Sequence, residues 1–106
     1  MVRGTTPTFI IQIEDDIDLT EARNVYVTFE QDTLKMTKTG QDIEVSEKEV
    51  DVFLTQSETL QFSVGMMDIQ LNWTYDDNKR ACSNIIVVNI ERNLINEVLD
   101  EITNNS

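Results

Sequence analysis

Apolar residues in this chain recur at every second position, in runs too short for anything but strands. Val25, Val27 and Phe29 alternate with Tyr26 and Thr28, and Met67, Ile69, Leu71 and Trp73 alternate with polar residues up to Tyr75. A strand points successive side chains to opposite faces, so a period of two marks a sheet with one buried and one wet face. Thr8 to Ile13, rich in β-branched and aromatic residues, reads as a first strand. Asn24 to Glu30 and Thr33 to Lys38 read as a hairpin about Gln31-Asp32, with Leu34 and Met36 facing one way and the lysines the other. Thr39-Gly40-Gln41-Asp42 is turn chemistry, and Ile43, Val45, Val50, Val52 and Leu54 predict two short strands joined near Ser46-Glu47-Lys48. Asp76-Asp77-Asn78-Lys79 is the next polar turn. Ala81 to Ile90, through Ile85-Ile86-Val87-Val88, is expected to complete the longest and most buried hairpin. Six or seven short strands spaced roughly ten residues apart predict an all-β fold, an antiparallel β-sandwich of immunoglobulin-like shape, with a small barrel as the alternative.

Two segments break the alternation. Ser57 to Phe62 predicts one helical turn capped by Ser57, with Leu60 and Phe62 tucked under the sheet and Gly65 ending it. Near the end, Leu94, Ile95, Val98, Leu99 and Ile102 fall three or four apart, which predicts a short amphipathic helix over 93–103 capped by Asn93. Such a helix either packs back on its own sheet or docks on a second subunit or partner. With 106 residues, 40% hydrophobic content, one Pro and three Gly, the chain is expected to fold as a single domain, 1–106, preceded by an arm at 1–7.

Composition removes much of the possible chemistry. No His is present, so the commonest general base and transition-metal ligand are missing. The three glycines, Gly4, Gly40 and Gly65, lie too far apart for a phosphate loop. Glu14, Asp15, Asp16 and Asp18 lack the Gly and closing Glu of an EF-hand. Cys82 has no second Cys to pair with and reads as a small packing residue in a reducing, cytosolic setting. These observations predict no catalytic residues, no cofactor and no metal. A net charge of -12, from 20 Asp+Glu against 8 Lys+Arg, opposes direct binding to nucleic acid or anionic membranes. No apolar run is long enough for a membrane span or a signal peptide. Trp73 is expected in the core, and Tyr75, beside a turn, is the expected surface aromatic.

The opening Arg3-Gly4-Thr5-Thr6-Pro7-Thr8 and the stretch from Leu54 to Phe62 resemble a group of small uncharacterised proteins encoded in phages and prophages of Gram-positive bacteria, usually among virion structural genes. Ile69-Gln70, Ser83 and the run from Leu94 to Leu99 extend the resemblance, and Glu14-Asp15-Asp16 departs from it, standing where the group carries an apolar, Pro-containing segment. The resemblance implies a non-catalytic virion component of tail, baseplate or fibre, assembled in the bacterial host cytoplasm and in contact with other virion proteins. A homo-oligomer would follow, with contacts through Arg3, Thr5, Thr6 and Pro7 of the arm, Tyr75, and Leu94, Ile95, Val98 and Leu99. The alternative is a free phage inhibitor of a host enzyme, of anti-CRISPR or DNA-mimic type, whose carboxylates would stand in rows; Glu44, Glu47, Glu49, Asp51 and Glu14 to Asp18 are the candidates. A small acid-dependent glycosidase or carbohydrate-binding module is a third reading, resting on the sandwich fold, its acids and its aromatics.

Overall fold

The alternation of Val25, Val27 and Phe29 is taken up by β2 (Asn24–Gln31) and that of Met67 to Trp73 by β6 (Gly65–Thr74), which pair antiparallel at the centre of the larger sheet. The structure, a computed structural model, describes residues 1–13 and 17–99. Eight strands form among them, most of the chain's regular structure. β3 (Leu34–Thr39) flanks β2, while β7 (Arg80–Cys82) and β8 (Ile86–Ile90) flank β6 in succession. The smaller sheet has the order β1-β5-β4, from β1 (Thr8–Gln12), β5 (Glu49–Phe53) and β4 (Ile43–Val45). These are the antiparallel layers of a sandwich. Ile11, Val50 and Val52 from the small sheet meet Val27, Phe29, Leu71 and Trp73 from the large one in a single buried cluster, and the Phe9 and Phe29 rings lie 5.7 Å apart. Burying each such side chain is worth about 1.5–3 kcal/mol, so this interface dominates the stability.

The connection from β5 to β6 carries a single helical turn, α1 (Gln56–Thr59). Its cap is Thr55, not Ser57: the Thr55 hydroxyl accepts from Glu58 N at 3.2 Å, and Glu58 Oε1 accepts from Thr55 N at 2.8 Å. This reciprocal pairing satisfies two donors that Ser57 would leave open. Phe62 is fully buried, and Gly65 begins β6 rather than ending the turn.

Three further expectations change. Lys38 shares the inner side of β3 with Leu34 and Met36, since positions two apart face the same way, and its Nζ meets Glu58 Oε2 at 2.6 Å. The run from Ala81 to Ile90 is split into β7 and β8, with Ile85, Ile86 and Val87 exposed instead of most buried. The split accounts for the strand count exceeding six or seven. Residues 93–99 form no helix; the rest of the predicted helix, 100–103, lies outside the described residues, as do Glu14, Asp15 and Asp16. Asn93 Oδ1 does accept from Ile95 N at 3.1 Å, as a cap would, but its Nδ2 is bonded to Arg3 O at 2.9 Å. A short helix with no surface to bury its apolar face has too little to offset its nucleation cost.

Candidate functional site

The N-terminal arm is fastened to its own domain. Arg3 donates to the carbonyls of Leu60 and Phe62 and to Asn96 Oδ1 at 2.9 Å, spending its guanidinium inside the chain. Gly4, at φ 79°, turns the backbone so that the Thr5 carbonyl accepts from the Thr59 hydroxyl at 2.9 Å and the Pro7 carbonyl from Leu54 N at 3.1 Å. A Cβ at Gly4 would also stand 3.2 Å from Leu60 Cδ2. Val2 bridges Glu91 in parallel, so the first residues lie along the end of β8. Arg3 and Pro7 are therefore structural contacts rather than outward ones, while Thr5 and Thr6 remain exposed. Tyr75 is also corrected: it packs against the core, and its hydroxyl accepts from Trp73 Nε1 at 2.8 Å. That bond satisfies the indole donor where the Trp enters the core.

The C-terminal residues stand out. Leu94, Ile95, Val98 and Leu99 are 85, 49, 58 and 54% exposed, although their backbone is held. Gln56 closes a two-way pair with Leu99, its Oε1 accepting from Leu99 N at 2.7 Å and its Nε2 donating to Leu99 O at 3.1 Å. Together with Arg3 and Asn96, this fixes a bent, irregular segment whose apolar side chains are exposed.

On one side of the sandwich, β1 of the small sheet and β7/β8 of the large sheet are both edge strands, and between them runs a groove of about 430 Å³. Ile11, Ile13 and Ile17 form one wall, Ala81 and Ile86 the other, and Trp73 lies between. The edge opens at a break in the strand. Ser83 N donates to Leu71 O at 2.9 Å, Leu71 N donates to Ser83 Oγ at 3.0 Å, and Gln70 Nε2 donates to Ser83 O at 2.9 Å, so side chains stand in for ladder bonds and regular pairing stops after Cys82. Cys82 is exposed on this rim, not packed inside. None of the described residues lining the groove carries a charge, on a chain whose net charge is -12. Sequence reasoning missed it; the polar pair Ser83-Asn84 interrupting an apolar run was the available signal.

Other surfaces are busier. The outer face of the large sheet has shallow hollows touching Thr28, Asn72 and Arg80, whose polar groups are engaged locally: Arg80 Nη2 donates to Asn72 Oδ1 at 2.9 Å, and the Thr28 and Thr37 hydroxyls are 3.2 Å apart. On the outer face of the small sheet Glu44 lies opposite Asp51, with exposed Ile10 and Phe53 on the same face. Asp51 Oδ1 is buried without a hydrogen-bond partner among the described residues. Asp18 titrates below its usual range because the Thr20 hydroxyl and amide both donate to it. Among the described residues no three Asp, Glu or Cys side chains gather where they could hold a metal ion, and no helix is long and apolar enough to cross a membrane. The chain matches no protein-family model, no curated protein and no solved structure.

Proposed function

We propose that this chain is a non-catalytic protein-docking module of immunoglobulin-like build, serving as a structural component of a phage virion, in the tail, baseplate or fibre. The observation that carries the docking role is the uncharged groove between two open sheet edges, where unpaired backbone and apolar side chains lie together. An exposed edge of this kind invites an added strand, with backbone bonds giving affinity and side-chain pockets giving selectivity. The strand order supports the immunoglobulin-like description. β1-β5-β4 facing β3-β2-β6-β7/β8 follows B-E-D facing C′-C-F-G, with the first strand reduced to the short parallel bridge of Val2 to Glu91. In that correspondence the groove lies where the rest of the first strand would run. The virion assignment rests on the resemblance of Arg3 to Thr8 and Leu54 to Phe62 described above.

The acidic-inhibitor reading needs uninterrupted rows of carboxylate. Glu44 and Asp51 share their face with Ile10 and Phe53, and Glu58 is paired with Lys38, which breaks such rows among the described residues. The decisive experiment is to purify particles of the encoding phage or prophage and to probe them for the chain, intact and as Ile86→Lys. The proposal expects the intact chain in the particle in multiple copies and the variant depleted. Particles that lack the intact chain would overturn the virion role, and undiminished incorporation of the variant would overturn the groove as its docking surface.

A further inference from the structure

Two features of this chain each lack what the other has: a groove whose described lining residues carry no charge, and an exposed apolar segment that no other described residue covers. They cannot meet within one molecule. The groove lies at the Ile13, Trp73 and Cys82 end of the sandwich, whereas the segment is held at the other end by Arg3 and Gln56. From the β6 partner of Cys82, Asn72, back to the partner of Ile90, Gly65, the strand covers roughly 23 Å. We infer that the groove receives residues 94–99 of a second copy of this chain, so that copies join head to tail. This rests on the docking role proposed above and names its occupant.

Three observations favour a second copy over an unrelated partner. Asn93 to Leu99 carries a single carboxylate, Glu97, and the described residues lining the groove carry no charge, so the contact itself brings few like charges together on two chains of net charge -12. Arg3 and Gln56 tether the segment at Asn96 and Leu99 before it docks, which reduces the ordering cost of binding. Leu94, Ile95, Val98 and Leu99 supply the apolar area that Ile11, Ile13, Ile17 and Ile86 lack on their open side. Because groove and segment are different surfaces, the contact is heterologous and propagates into a ring or a filament.

Cys82, the only cysteine and exposed on the groove rim, allows a direct test. The full chain carrying Ile95→Cys or Val98→Cys is oxidised mildly and the linkages are mapped by mass spectrometry. The inference expects a ladder of oligomers joined between position 82 of one copy and position 95 or 98 of the next. Adding Ile86→Lys, at a side chain already partly exposed, is expected to lower that yield about tenfold, equivalent to ~1.4 kcal/mol. Circular dichroism of each variant confirms that it is folded. Only Cys82 to Cys82 links, or links only within a monomer, would overturn the inference. Should the mixed link be missing while Ile86→Lys still depletes the chain from particles, the groove serves a different partner and the docking role survives. If neither effect is seen, both fall.

Discussion

Glu58 does two jobs from one position, closing the cap on Thr55 with one carboxylate oxygen and pairing with Lys38 through the other. Partial burial pushes its carboxyl up, but the Lys38 bond and charge and the Thr55 bonds outweigh this and hold it below the usual range. A carboxylate whose folded pKa is depressed contributes stability that is present above the unfolded value, about 4.3, and lost as pH falls through the folded value. Lys38→Ala is therefore expected to flatten stability against pH in that acidic window, read by urea titration at several pH values; an unchanged profile would refute the assignment. Thr55→Ala should cost about 1 kcal/mol by the same measurement, and Ser57→Ala much less. Asp51 predicts the opposite sign. With one oxygen buried unpartnered and Glu44 across the ladder, Asp51→Asn should stabilise by about 0.5 kcal/mol. Lys38 was misplaced by sequence reading because the cation of Lys35 faces solvent, and parity, not charge, decides the face.

At the level of elements, β2 and β6 were legible because each has one wholly apolar face, and the matching burial of Val25 to Phe29 and Met67 to Trp73 follows directly. The edge strand was not. Ile85 to Val88 is apolar on both faces, which reads as a buried strand, yet β8 pairs with β6 alone among the named strands, has the first residues of the chain only along its far end, and faces no small-sheet strand at Ile86. Ser83→Ala removes the oxygen that accepts from Leu71 N, and a cost of about 1–2 kcal/mol is expected in thermal or urea unfolding. The last segment misled for a related reason. A spacing of three and four is helical only if something covers the face it creates, and here Gln56 and Arg3 hold the segment in a bent, non-helical course instead. Gln56→Ala is predicted to raise amide exchange at Leu99 while leaving the exchange of β6 unchanged.

For the whole molecule, period-two patterning conveyed the fold class but not the groove, because the groove depends on which strands become edges. That is set by long-range pairing of β1 with β5 and of β6 with two partners in turn. Net charge acts at this scale as well. Copies of charge -12 repel through solvent, whereas apolar contact is unscreened, so association of the kind inferred here should tighten as salt rises from about 0.02 to 0.5 M; an assembly built on ion pairs would loosen. The most direct measurement is light scattering across a concentration series on the intact chain and on Ile86→Lys. The account predicts a mass that climbs above 12.2 kDa with concentration for the intact chain and stays at 12.2 kDa for the variant, and a constant 12.2 kDa for both would contradict it.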